Sequence, residues 1–253
     1  VKWLAAALVL LAAPGAAVTI PVTTARSTGF DASGNLITGQ NQDKTLIRDE
    51  NWTFYEGNSL SALSGDPVGA YVVNVPGKPF TNPRWIANSN SSRWISPTKL
   101  TYGNGNHLET VSGNSYIAVT SFTIPAMTDP PNWPQWWLVM SGEVWADEGV
   151  AGNSFYLLDS SNHIVYTGTL TPSGSPLYVY PAAFQMQTWV DPGATYRLAF
   201  ILPNTSNTMA GFRLRFTEVY VTPEPAAWLT MASVGAGLVL LRLRRRRKTT
   251  QQS

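Results

Sequence analysis

The chain has 253 residues, no cysteine, and a formal charge of only +2. Charged residues make up 13% of it, against roughly 25% in an average soluble protein. Disulfides, thiolate metal sites and cysteine catalysis are excluded, and the composition suits an exported all-β protein better than a cytosolic enzyme. Residues 18–222 hold ten basic and fourteen acidic side chains. A mildly acidic body argues against nucleic-acid binding, which needs basic surface.

Residues 1–17 read as a secretory signal. Lys2 supplies the positive start, residues 3–13 an apolar run, and Pro14 a break. Gly15-Ala16-Ala17 then places cleavage between Ala17 and Val18. The apolar run is too short to cross a bilayer core of roughly 30 Å. Residues 18–48 lack apolar periodicity and are expected to form an extended or loosely paired lead-in.

Beyond the lead-in no helical apolar period exceeds two turns. Period-two patterns bounded by Gly, Pro, Asn and Ser predict strands over 52–56, 70–75, 115–124, 137–145, 154–159, 163–168, 177–184, 195–202 and 211–221. Tyr196, Leu198, Phe200 and Leu202 share one face, while Phe212, Leu214 and Phe216 alternate with Arg213, Arg215 and Thr217. Such alternation marks an antiparallel sheet with one packed and one wet face. Asp159-Ser160-Ser161-Asn162 and Asp191-Pro192-Gly193 supply turns at the spacing of a sandwich. The expected fold is all-β: an antiparallel two-sheet β-sandwich, or jelly roll, over 18–222. A signal helix would flank it on the N-terminal side and a transmembrane helix on the C-terminal side.

No residue is assigned a catalytic role. Glu143, Trp145 and Asp147 share a strand face, but at about 3.3 Å per residue the two carboxylates stand about 13 Å apart. Glycosidase pairs need roughly 5–9.5 Å. There is no Gly-x-Ser-x-Gly elbow, no His-Glu-x-x-His motif and no phosphate-cradling loop. His107 and His163 flank turn residues and share no spacing with carboxylates. Asp147 and Glu148, ahead of Gly149, are weak candidates for a structural Ca²⁺, with solvated turn carboxylates the plainer reading.

Binding has better candidates. Flat aromatic faces and short polar side chains suit sugars. Residues 85–97 interleave Trp85 and Trp94 with Asn88, Asn90, Ser91, Ser92 and Arg93. Trp85, Asn88, Arg93 and Trp94 are therefore candidate glycan-binding residues. The alternative, which the pattern fits better, has both indoles plugging the open edge of the core while Asn and Ser make turns. Asn132-Trp133-Pro134-Gln135-Trp136-Trp137 is a second candidate loop.

The C-terminal end carries the most specific pattern. Thr222-Pro223-Glu224-Pro225 leads into 226–241, which lack any charge, then Arg242, Leu243 and Arg244-Arg245-Arg246-Arg247-Lys248. The apolar run lies at the short end of what spans a membrane. Arg242 can snorkel, and the basic stop-transfer block marks the cytoplasmic side. Over residues 223–248 this resembles the PEP-CTERM sorting signal of bacterial exported proteins: a Pro-Glu-Pro box, one apolar helix and a terminal Arg cluster. The resemblance implies export through the translocation machinery and transient anchoring in the inner membrane with the Arg tail inside. It also implies processing near Pro223-Glu224-Pro225 by an exosortase, a membrane-embedded Cys-dependent transpeptidase. The destination would be the cell surface or the matrix, in company with exopolysaccharide.

The body carries a second resemblance. The 85–97 block, Ser141-Gly142-Glu143-Val144-Trp145-Ala146-Asp147 and Gly211-Phe212-Arg213-Leu214-Arg215-Phe216 are similar to exported jelly-roll domains of PEP-CTERM proteins. Those look like galactose-binding-type sandwiches, which often bind glycans without catalysis. Where they carry an Asp-Asn pair, this chain has Asp147-Glu148. The expectation is a non-enzymatic surface or matrix protein with a candidate glycan-binding domain. The alternatives are a secreted polysaccharide-acting hydrolase and a purely structural surface protein.

Overall fold

The computed structural model describes residues 19–38, 47–73, 86–97, 115–126, 136–203 and 211–223. Period-two patterning folds them into β1 (Ile20–Pro21), β2 (Arg48–Glu56), β3 (Pro67–Val72), β4 (Ile95–Ser96), β5 (Tyr116–Thr123) and β6 (Trp136–Ala146). These are followed by β7 (Ser154–Leu158), β8 (Ile164–Thr169), β9 (Thr171–Pro172), β10 (Ala182–Val190), β11 (Thr195–Leu202) and β12 (Phe212–Pro223). Two short 3-10 turns, Leu60–Ser64 and Ala151–Asn153, are the helical elements among the described residues. None is long and apolar enough to cross a membrane. The expected signal helix and C-terminal membrane helix lie outside the described residues.

All strand pairs are antiparallel, in the order β8-β7-β11-β5-β2-β3-β4-β12-β6-β10-β9, with β1 added to β12. The expectation of antiparallel all-β structure holds, but the strands form one continuous sheet that is nearly barrel-shaped. Two corners explain this. At one, the two-residue β4 pairs with β3 through Val72↔Ile95 and with β12 through Phe212↔Ile95. At the other, the path's two ends, β8 and β9, are separated in sequence by Leu170 alone. One stretch of chain thus pairs first with β7 and then with β10. Unpaired edge remains along β8 and along β10 beyond Ala183, among the described residues.

The core fills the inside. Trp136, Leu138, Met140 and Val144 of β6 point inward with Phe184 and Met186 of β10, Leu198 and Phe200 of β11, and Phe212 and Leu214 of β12. Aromatic rings meet in a chain: Trp52–Phe212 at 5.3 Å, Phe212–Phe200 at 5.2 Å, Phe200–Phe184 at 6.1 Å and Phe184–Phe155 at 5.4 Å. Tilted and edge-on pairs of this kind add about 0.5–1.5 kcal/mol each beyond burial.

The lead-in matches its expectation of an extended, loosely paired segment, and one predicted strand does not match. The lead-in 19–38 is stitched along β12. Val22 N–H donates to Val219 O (3.1 Å), Thr28 N–H to Leu214 O (3.0 Å), Leu214 N–H to Thr28 Oγ1 (3.0 Å) and Phe216 N–H to Ser27 Oγ (3.0 Å). Short hydroxyl side chains replace carbonyls as acceptors here, so no apolar period betrays the pairing. The strand expected over 177–184 differs. Val179 and Tyr180 N–H both bond Pro176 O (3.0 and 3.1 Å), making a turn, and the strand starts only at Ala182.

Asp49 ties the lead-in to β2. It is fully buried, and its Oδ2 accepts Gly29 N–H at 2.6 Å while Oδ1 accepts Asn51 N–H at 3.0 Å. Gly29 has φ +88°, and Arg93 Cβ occupies the space a side chain would need. Burial raises the Asp49 carboxyl to about 7, opposed by the N–H donors of Gly29, Asn51 and Trp52 and by the Asn51 side chain.

Candidate functional site

The outward side chains of β10, β6 and β12 fall, by register, into four cross-strand lines. The first holds Trp189, Trp137 and Thr222; the second Gln187, Val139 and Tyr220; the third Gln185, Ser141 and Glu218; the fourth Ala183, Glu143 and Arg215. A bulge between Phe216 and Glu218 sets Thr217 beside Ser141, with the hydroxyls 2.8 Å apart. Along the strands the face runs about 20 Å, and across them about 10 Å.

One end of this face is aromatic. Trp137 and Trp189 are cross-strand partners with ring centroids 3.7 Å apart and planes 32° apart. Each indole is half-buried. Next to them Gln185 and Gln187 are exposed on the same face of β10. Arg215 and Glu143 form an ion pair in the fourth line.

Beyond the fourth line the face is covered. Trp145 and Arg213 pair in register on the same outer side, yet they are only 4% and 3% exposed. The cover is a strap over 86–94. Arg213 donates from Nε to Ser92 Oγ (2.8 Å), from one terminal nitrogen to Ala87 O (2.7 Å) and from the other to Ser89 Oγ (2.8 Å). Its guanidinium carbon lies 4.5 Å from the Trp145 ring centroid. Burial, with Arg215 and Arg93 nearby, lowers its pKa to about 10 against the opposing pull of Glu143, so it stays charged at neutral pH.

The strap absorbs the glycan-binding candidates of the sequence. Trp94 is fully buried and donates its indole N–H to Ile86 O (2.9 Å), leaving no free ring face. Asn88 spends its amide on the backbone, donating to Val73 O (2.8 Å) and accepting Trp94 N–H (2.8 Å). Arg93 is half-buried against Gly29, and burial lowers its pKa. Trp85 lies outside the described residues. In place of a binding face, the described part of this block is a plug with hydrogen-bonded turns. A pattern of Trp, Asn and Ser serves either purpose, and only the burial of Trp94 separates them.

The other predicted residues are scattered. Asp147 and Glu148 are half-buried, and Asp147 N–H bonds Gly211 O (3.0 Å). No group of three or more His, Asp or Glu that could hold a metal forms among the described residues. Against expectation, His163 does meet a carboxylate: the Asp159-to-His163 turn brings its Nδ1 3.2 Å from Asp159 Oδ2 on the surface. Pro223 closes β12 opposite Trp136. Ala17, Val18, Glu224, Pro225, Arg242, Arg244, Arg245, Arg246, Arg247, Lys248 and His107 lie outside the described residues. Sequence reasoning missed Trp189, Gln185 and Gln187. Their signal was the alternation from Ala183 to Trp189, masked by the strand-like Leu177-Tyr178-Val179-Tyr180 just before it.

No family model matches the chain, and no curated protein matches it. Among solved structures, it resembles the enzymatically active domain of tailspike protein 4 of bacteriophage CBA120 over 68% of this chain and 19% of that one. The identity is 16% and the TM-score 0.29. The chain spans about a fifth of that protein's length, and a likeness of this size carries no argument about activity.

Proposed function

We propose that this is an exported, exosortase-sorted surface or matrix protein whose domain binds polysaccharide without catalysis, on the outer face of β6, β10 and β12. The observation that carries the binding is the Trp137–Trp189 pair in line with Gln187 and Gln185. Indoles offer broad, rigid apolar surface, and amides both donate and accept toward hydroxyls. A sheet holds these groups in place before the ligand arrives, which lowers the ordering cost of binding. Glu143 is engaged by Arg215, and Glu218 stands in open solvent. Among the described residues the face therefore has no sequestered carboxylate pair, which favours binding over hydrolysis.

A jelly roll is the fold type that suits this reading. Block β12-β6-β10 faces block β3-β2-β5-β11-β7-β8, and the chain passes between them repeatedly from β5 onward. Sorting rests on the sequence pattern of 223–248, which would deliver the domain to an exopolysaccharide-rich surface.

Two experiments test the proposal. The purified full chain is passed over immobilised β-glucan, galactomannan and alginate beside Trp189→Ala. Retention by the native chain and loss in the variant are expected; equal retention overturns the face, and released sugar products would turn the reading to a hydrolase. For sorting, intact mass from cells with an active exosortase should lack residues 1–17 and the Arg tail. A tail still attached overturns it.

A further inference from the structure

The face is walled at one end, and the wall crosses all three strands. Over β12 and β6 it is the strap, held by three hydrogen bonds from Arg213. In front of β10 the strap joins the 176–180 turn through Ile86 N–H to Tyr178 O (3.1 Å), with Ile86 and Tyr180 exposed at the rim. Lifting this wall would strip a buried cation of all its acceptors and expose Trp94, so it is a fixed part of the fold.

The charges on the face are few. Glu143 and Arg215 neutralise one another, and Glu218 is exposed. Arg213 is buried and committed to the strap. Among the described residues, an acidic glycan would meet Glu218 with no available cation to offset it, whereas an uncharged chain meets amides, hydroxyls and indoles.

The long axis of the face lies along the strands, about 20 Å against about 10 Å across. The outer edge of β12 is taken by the lead-in. A polymer laid along β10 over Trp189, Gln187 and Gln185 follows this long axis and runs into the wall.

Building on the proposed glycan-binding face, we infer that it reads the end of an uncharged polysaccharide chain. The chain lies along the strands with sugars on Trp189, Gln187 and Gln185, and its last residue abuts the strap beside Glu143 and Arg215. A binder of chain ends grips a polymer without needing a bare internal stretch, which suits a protein that decorates a dense matrix.

Competition distinguishes ends from interiors. The full chain, held on immobilised β-glucan, is challenged with soluble β-glucan and with the same glucan cut about tenfold shorter by mild acid, at equal mass. End recognition gives about tenfold better competition by the cut sample, unchanged in high salt. Equal or weaker competition means internal binding and overturns the inference while leaving the face intact. Retention of alginate alone, lost in high salt, also overturns it and spares the face. The exposed pair Gln185→Ala with Gln187→Ala should bind about tenfold more weakly and still prefer the cut sample. Failure of every glycan to bind, or no effect of Trp189→Ala, removes the face and this inference together.

Discussion

Arg213 stacks on Trp145 across the β12–β6 pair, its guanidinium carbon 4.5 Å from the ring centroid, and points its nitrogens at three neutral oxygens of the strap. The fork geometry of a guanidinium satisfies all three at once, which a compact ammonium does not reproduce. Arg213→Lys keeps the charge and loses the fork. The variant is expected to lose about 1–3 kcal/mol of stability, read by urea denaturation, with faster hydrogen exchange at the strap amides. An unchanged midpoint would show that the strap does not depend on this residue.

Asp49 sets a pH dependence of defined sign. Its folded pKa of about 7 lies above the unfolded value of about 3.9. Between those values the folded state holds a proton that the unfolded chain has released, so stability falls as pH rises from about 4 to about 7 and is flat above. The loss is a few kcal/mol at most. Urea midpoints across this range should decline for the native chain. In Asp49→Asn this component should vanish, at a cost of about 1–3 kcal/mol because an amide cannot accept every N–H aimed at the carboxylate.

Trp189 and Trp137 shield one another, so removing either exposes its partner without opening the core. Trp189→Ala is expected to leave the cooperative unfolding transition in place and to weaken polysaccharide binding about tenfold or more, as for other truncated aromatic anchors. Fluorescence of the remaining tryptophans during a glycan titration reads both effects.

Gly142 sits mid-strand on the inward side of β6, where a Cβ would collide with Arg215 O and the Phe184 ring. Because one obstacle is backbone, repacking cannot relieve it. Gly142→Ala should cost about 1–3 kcal/mol, seen as a lower thermal midpoint.

Thr120 is 1% exposed, and its hydroxyl has no hydrogen-bond partner among the described residues. Thr120→Val keeps the shape and the β-branch while removing an unpaid desolvation cost. A gain of about 1 kcal/mol is expected; a loss would reveal a hidden partner for the hydroxyl.

The strands were legible wherever alternation was clean. Tyr196 to Leu202 and Phe212 to Leu214 form strands as their pattern says, but the expected wet face is covered: Ala199 and Ile201 pack with Leu63, Ile117, Val119 and Leu158, and Arg213 lies beneath the strap. Where backbone donors are satisfied by side chains, as in the lead-in through Ser27, Thr28 and Asp49, the pattern carries no apolar signal. The candidate face suffered for a different reason. Leu177 to Tyr180 alternate like a strand, yet Pro176 O closes a turn over Val179 and Tyr180, and the true strand with Gln185, Gln187 and Trp189 lies just beyond.

The sequence by itself determined the class of the protein: all-β, free of cysteine chemistry, mildly acidic in its body, with a C-terminal pattern like that of a sorted surface protein. Those are properties of composition and local period, which need no contacts. Tertiary structure alone decided which tryptophans face solvent. Trp94 and Trp137 look equally available in the chain, but one is buried as part of a strap held by Arg213, from 119 residues further along the chain, and the other stays half-exposed beside Trp189. Burial depends on what the rest of the chain brings on top of a residue, and that is not written in the residue's own neighbourhood.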